Sequence, residues 1–111
     1  MFQRLFKNAV EVSKYRLVAE VVDSNGCDTG HIIGQKLIFD NSGNLLTNDN
    51  PDRICSFLMP NLTVLINGFF ENVMKGRDPK EVMFNTTGCF DTGPICGGWG
   101  HVVVKINAEK T

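Results

Sequence analysis

A stripe of apolar residues with helical spacing, between positions 60 and 75, decides which folds this chain can adopt. The segment PNLTVLINGFFENVMK begins with a proline that suits the first turn of a helix, and Gly76 follows it as a stop signal. Its apolar side chains recur every three or four positions and form one face, which consists of Leu62, Leu65, Ile66, Phe69, Val73 and Met74. The pattern predicts one main helix with a face that other parts of the chain must cover.

Two pairs of predicted strands flank this helix. Before it, YRLVAEVVD (residues 15 to 23) alternates between apolar and polar residues, and KLIFD (residues 36 to 40) is a short apolar run followed by a turn signal. After it, EVMFNTT (residues 81 to 87) and HVVVKINA (residues 101 to 108) are joined by a glycine-rich connection. Strands on both sides of one helix predict an α+β domain, with a small, mostly antiparallel sheet covered by that helix.

Residues 1 to 14 are predicted to form an N-terminal helical extension, which leaves residues 15 to 111 as a single α+β domain that carries the cysteines and histidines. The apolar residues of the extension have helical spacing and are Phe2, Leu5, Phe6, Ala9 and Val10. Charged residues interrupt the segment, so that it lacks the continuous apolar core of a secretory signal. We therefore expect a cytoplasmic protein.

Charge and hydropathy argue against several classes of partner. The chain of 111 residues has a formal net charge of -1, and its lysines and arginines are scattered singly. A protein that binds nucleic acid usually presents a basic stripe to the phosphates, so we expect no nucleic-acid partner. No apolar run is long enough to span a membrane. The glycines near position 98 are not followed by the Lys and Ser or Thr of a phosphate loop, so we expect no nucleotide cofactor.

The cysteines and histidines are the candidates for chemistry. In a reducing compartment Cys27, Cys55, Cys89 and Cys96 are expected to be thiols rather than disulfides. All except Cys55 lie in glycine-rich loops, where a buried apolar role is less natural than it is in a strand or helix.

Four of these residues supply a Cys3His donor set, which is one of the closed ligand sets of zinc: Cys27, His31, Cys55 and Cys89. Their spacing lacks the paired C-x2-C knuckles of many zinc sites. An alternative stays open, in which the loop glycines only turn the chain, the histidine hydrogen-bonds a loop carbonyl, and the cysteines pack as small apolar residues.

Three motifs together resemble a family of short, uncharacterised prokaryotic proteins. This chain carries CDTGHIIG, then ICSFLMPNLTVLING, then CFD before its last predicted strand. Members of the family carry C-P-x-G-H-x-x-G, then C-P-F-A-L ahead of a proline-containing helix, then C-P-D. The match covers about residues 15 to 109, and the matched positions are Cys27, Gly30, His31, Gly34, Cys55, Phe57, Leu58, Cys89 and Asp91.

The resemblance implies that Cys27, His31, Cys55 and Cys89 act as a group, and it brings no established activity with it. The chain departs from the family pattern where Asp28, Ser56 and Phe90 replace the prolines of the three motifs, and where a longer link adds Cys96. These departures affect the geometry of the loops and leave the identity of the implied ligands unchanged.

Two classes of function follow from this set. We expect a small metal-binding protein whose Cys3His site holds zinc in preference to iron, and which serves as an accessory subunit or an oligomeric module. Four protein ligands leave no open position on the metal, which is typical of a structural site. The alternative is a small enzyme that uses a metal-bound water, or a thiolate pair of Cys96 and His101 in CGGWGH, on a small-molecule substrate.

The N-terminal extension is the predicted contact with partners. It precedes the part of the chain that resembles the family, so the domain should be complete without it, while its apolar face still needs cover. We therefore expect a homo-oligomer or a larger protein complex that forms through residues 2 to 13, with Phe2, Leu5, Phe6 and Val10 at the contact.

Overall fold

The computed structural model describes residues 14–27, 29–46, 53–82, 84–89, 98 and 100–110. The elements in chain order are strands β1 (Tyr15–Asn25) and β2 (Lys36–Phe39), helix α1 (Met59–Met74), and strands β3 (Thr86–Gly88) and β4 (His101–Lys110). The four strands form one antiparallel sheet in the order β2-β1-β4-β3. This confirms the predicted α+β class, in which one antiparallel sheet is combined with one main helix.

The core lies between one face of this sheet and α1. The members of the buried apolar cluster lie two positions apart in β1 and β4, as the period of a strand requires, and three or four positions apart in the helix. The buried apolar cluster includes Leu17, Ala19, Val21, Leu37, Phe39, Leu58, Leu62, Ile66, Phe69, Val73, Val102, Val104 and Ile106. The helical stripe predicted from the sequence thus faces the sheet.

Helix α1 ends where the sequence predicts it to end. Gly76 has a φ of 76°, which is the left-handed conformation that favours glycine. Its N–H donates to the carbonyl of Val73 at 2.9 Å, and the N–H of Arg77 donates to the carbonyl of Asn72 at 2.9 Å. This pair of hydrogen bonds is a Schellman motif, which satisfies carbonyls that the last turn of the helix leaves without partners.

The strand predicted over residues 81 to 87 is wrong in its extent, because only its last two residues belong to β3. The side-chain amide of Asn72 donates to the carbonyl of Glu81 at 2.7 Å, which ties the start of this segment to the end of α1. Pairing with β4 begins at Asn85, whose carbonyl accepts the N–H of Ile106 at 2.7 Å. Glu81 is thus bonded to the helix, and the chain joins the sheet only from Asn85 onward.

Strands β1 and β4 form the longest pair, from Tyr15 opposite Lys110 to Asn25 opposite His101. Their register shifts between Val21 and Asp23, as it does at a β-bulge. Such a bulge bends the strand and increases its twist, and bulges are common beside functional sites. Here the bent end of β1 leads directly to Cys27.

Some predictions fall on parts of the chain that the structure leaves undescribed. The helix predicted over residues 2 to 13 lies outside the described residues, and so does Cys96. Among the residues that are described, no helix has both the length and the apolar character needed to cross a membrane.

Candidate functional site

A cavity of about 290 Å³ lies beside the end of the sheet at which β1 ends and β4 begins. Its lining contains every cysteine and histidine that the structure describes, namely Cys27, His31, Cys55, Cys89 and His101. The structure therefore brings to one cavity the four residues that the sequence groups together, and it adds His101. Apolar side chains complete the wall, among them Leu58 and Val102.

Two glycines set the position of Cys27, which follows β1. Gly26 has a φ of 70°, so the chain turns sharply at the end of the strand. Gly100 precedes β4 and lies against the peptide between Gly26 and Cys27. A Cβ atom at position 100 would be only 2.8 Å from the Cys27 nitrogen and would also meet the Gly26 carbonyl. The absence of a side chain at Gly100 thus lets the two chain segments meet at the edge of the cavity.

Cys55 enters the cavity from the turn that leads into α1. Its carbonyl accepts the N–H of Leu58 at 3.1 Å, which closes the turn. Its own N–H donates to Nε2 of His31 at 3.2 Å. The imidazole of His31 therefore joins the loop after β1 to the loop before α1, and it holds the backbone of Cys55 at the cavity.

Both ring nitrogens of His31 have partners within the protein. The side chain is 2% exposed, and Nδ1 lies 2.6 Å from Oε1 of Gln35. A backbone N–H can only donate, so Nε2 must accept the hydrogen bond from Cys55 and the proton of the neutral ring must be on Nδ1. Nδ1 then donates to the Gln35 oxygen, so both hydrogen bonds are consistent with the same tautomer of His31.

Cys89 and His101 meet at the end of the β3–β4 pair. The N–H of Cys89 donates to the carbonyl of Val102 at 3.1 Å, which extends the ladder by one residue. His101 begins β4, and its Nδ1 lies 3.7 Å from Sγ of Cys89. Gly88 makes room for the ring, because a Cβ atom there would be 2.8 Å from Nε2 of His101.

The candidate ligands line one cavity, but they are not close enough together to bind one metal ion. Cys27, Cys55 and Cys89 carry reduced thiols and are partly buried. Within the described part of the chain, no three side chains of the Cys, His, Asp and Glu types stand close enough to hold a metal ion. Binding one ion through three thiols therefore requires sulfur atoms to approach each other. A change of χ1 rotamer moves a cysteine sulfur by about 3 Å, which a cavity of this size can accommodate.

The described lining of the cavity contains no Asp, Glu, Lys or Arg side chain. The carboxyl groups whose pKa is lowered lie elsewhere. The backbone N–H of Asn44 holds the pKa of Asp40 below its usual value, and the hydrogen bond from Lys75 does the same for Glu71. Any cation in the cavity would therefore be balanced by thiolates and not by described carboxylates.

The pair of Cys96 and His101 considered from the sequence stays a prediction, because Cys96 lies outside the described residues, and the contact that the structure describes for His101 is with Cys89. Gly88 pairs with Val103, so Cys89 lies opposite Val102 and next to His101 in the ladder. The two predicted closing strands do not by themselves give this register. His31 and Gln35 are four residues apart and meet because the glycines fold their loop back on itself. No sequence motif indicates this contact.

Comparison with known proteins adds no family. The chain matches no protein-family model, no curated protein and no solved structure among those compared. The case for a function therefore depends on the cavity and its residues.

Proposed function

We propose that this protein is a small metal-binding module that holds one zinc ion through Cys27, Cys55, Cys89 and a histidine. The observation that carries the proposal is that all the described cysteines and histidines line one cavity, although they come from separate loops and strands. The three thiols also pack against the apolar core, but apolar packing alone does not require both described histidines beside them.

The chemistry of the donors suits zinc. Three thiolates and one imidazole form one of the closed tetrahedral sets of structural zinc sites, and thiolates select zinc over harder cations. The described lining offers no carboxylates, which magnesium and calcium would require. Iron at a thiolate site is the less favoured metal, as the sequence already indicates.

A thiol enzyme is the second candidate, and one contact favours it. Sγ of Cys89 is 3.7 Å from Nδ1 of His101, and an imidazole beside a thiol can generate the thiolate nucleophile. That chemistry needs one thiol and one base. It leaves unexplained why Cys27 and Cys55 line the same cavity, so the metal site accounts for more of the observations.

Metal analysis of the full chain tests the proposal. Protein purified under anaerobic conditions with zinc in the medium is expected to retain one zinc ion per chain. Cys27→Ser, Cys55→Ser and Cys89→Ser should each weaken zinc binding in competition with a chromophoric chelator, whereas Cys96→Ser should bind as the unchanged chain does. Retention of no metal, or equal binding by all four variants, would contradict the proposal.

The reactivity of the thiols separates the two candidates. In the zinc-loaded protein Cys27, Cys55 and Cys89 should alkylate slowly until a chelator removes the metal, because coordinated thiolates are protected. If Cys89 instead alkylates fastest in both conditions, the enzyme becomes the better interpretation. Zinc at about 100 times its dissociation constant should also stabilise the fold by about 2.7 kcal/mol.

Location and assembly belong to the same proposal. A site of reduced thiols suits the cytoplasm, which the sequence predicts. The role of an accessory subunit or oligomeric module depends on the helix that the sequence predicts over residues 2 to 13. Removing these residues should reduce the number of chains per particle, as measured by light scattering, and an unchanged number of chains would contradict this part of the proposal.

A further inference from the structure

We infer that His101 is the histidine ligand of this metal site and that His31 positions Cys55 without binding the metal. The inference rests on the proposed function and changes its ligand set to Cys27, Cys55, Cys89 and His101. The structure distinguishes the two histidines by the contacts of their ring nitrogens.

His101 already stands at a distance from Cys89 that suits a shared metal ion. Zinc binds thiolate sulfur at about 2.3 Å and imidazole nitrogen at about 2.0–2.1 Å, and the tetrahedral angle then places the two donor atoms about 3.6 Å apart. Sγ of Cys89 and Nδ1 of His101 are 3.7 Å apart. These two donors can therefore occupy one edge of the coordination tetrahedron without rearrangement.

The ring nitrogens of His31 contact a backbone N–H and an amide side chain, and neither contacts a described thiol. Its Nε2 accepts the N–H of Cys55 and its Nδ1 contacts Gln35, so both nitrogens are committed to the protein. A metal on Nε2 would displace the Cys55 N–H and leave it without this acceptor. The ring is 2% exposed, which makes a lost hydrogen bond costly because little water can replace it. The same contacts suit a residue that holds a ligand-bearing loop in place.

Gly88 supports the assignment from the side of His101. The imidazole lies against the backbone of β3, in space that any side chain at position 88 would occupy, since a Cβ atom there would be 2.9 Å from Cε1 and 2.8 Å from Nε2. With Nε2 turned toward Gly88, Nδ1 is the nitrogen that faces Cys89. The orientation needed for coordination is thus built into the β3–β4 pair.

Cobalt(II) in place of zinc tests the inference, because its visible absorption reports the geometry and identity of its ligands. Loss of affinity alone does not separate the two roles, since replacing a residue that only orients a ligand already weakens metal binding about 10- to 100-fold. We expect the full chain with cobalt to show thiolate charge-transfer bands and intense tetrahedral bands. His101→Gly should change the tetrahedral bands, and imidazole added from solution should restore them.

Substitutions around His31 provide the comparison. His31→Gln is expected to weaken cobalt binding while it preserves the shape of the spectrum, and Gln35→Ala, which leaves the ring in place, should do the same. If His31→Gln fails to fold, the Gln35→Ala spectrum still decides between the roles. A spectrum that is unchanged in His101→Gly but altered in both His31→Gln and Gln35→Ala would overturn the inference and leave the proposed function standing.

A matched pair of glycine variants completes the test. Gly88→Ala should displace the His101 ring and reproduce the altered spectrum of His101→Gly. Gly68→Ala places the same methyl group in α1 at a position where it meets no neighbouring atom of the described residues within 4 Å, and its spectrum should not change. An unaltered spectrum in Gly88→Ala would count against the role of His101. Absence of cobalt and zinc binding in the unchanged chain would instead refute the metal site as a whole.

Discussion

Replacing Gly100 with alanine should disrupt the cavity by forcing two backbone segments apart. The new Cβ atom would meet the carbonyl of Gly26 and would lie 2.8 Å from the nitrogen of Cys27. Neither neighbour is the flexible end of a side chain, so rotation of a side chain cannot relieve the contact. The strain must be met by moving the start of β4 away from the chain that follows β1.

The size of the effect follows from what that movement breaks. Extra methyl groups forced into well-packed regions cost about 1–3 kcal/mol, and occasionally more. Asn25 and His101 are the last paired residues of the β1–β4 ladder and adjoin the contact directly. We therefore expect Gly100→Ala to lower the free energy of unfolding by about 3 kcal/mol, the upper end of that range. For a domain of about this length such a loss lowers Tm by about 10 °C.

Urea unfolding followed by circular dichroism measures this loss, with Gly68→Ala as the control. The control adds the same methyl group within α1, where it contacts no neighbour among the residues that the structure describes, and it should stabilise the protein by about 0.5–1 kcal/mol because alanine favours a helix. The two variants should have similar m-values and different midpoints. If Gly100→Ala is within 0.5 kcal/mol of the unchanged protein, the close approach of the two segments does not exist as described.

Two further predictions concern the fold. Leu62→Ala should lower the free energy of unfolding by about 2–5 kcal/mol, because Leu62 is 0% exposed in the core, and denaturant titration measures the loss. Asp40→Asn should destabilise the protein near neutral pH, because the carboxylate accepts the N–H groups of Asn44 at 2.8 Å and Ser42 at 2.9 Å, and these bonds hold its pKa below 3.8. A carboxyl group whose pKa is lowered by folding stabilises the folded state at pH values above its unfolded pKa. The difference in unfolding free energy between the variant and the unchanged protein should therefore shrink as the pH falls below 3.8. A difference that stays constant after the carboxyl of the folded protein is protonated would contradict this cause.

The main elements could be predicted because they depend on local patterns. The apolar stripe of α1 and the left-handed glycine at position 76 identify the helix and its end within a short window of sequence. The alternation in β1 and β4 identifies the central strands in the same way. The start of β3 was not predicted, because the apolar and β-branched residues before Thr86 resemble a strand, whereas Glu81 is bonded to Asn72 at the end of the helix, a contact that leaves no signal in the strand pattern.

The candidate site could also be predicted only in part, because residue types indicate possible ligands whereas the fold determines which of them meet. Donor chemistry and the family resemblance grouped Cys27, His31, Cys55 and Cys89, and all four line one cavity. The sequence named His31 as the fourth ligand, and the inference in favour of His101 depends instead on a backbone N–H bonded to His31 and on the bare backbone at Gly88 beside His101. Neither feature belongs to a side chain that sequence patterns treat as a ligand. The assignment of the fourth donor is therefore a question about backbone geometry, and the paired substitutions at Gly88 and Gly68 test it at that level.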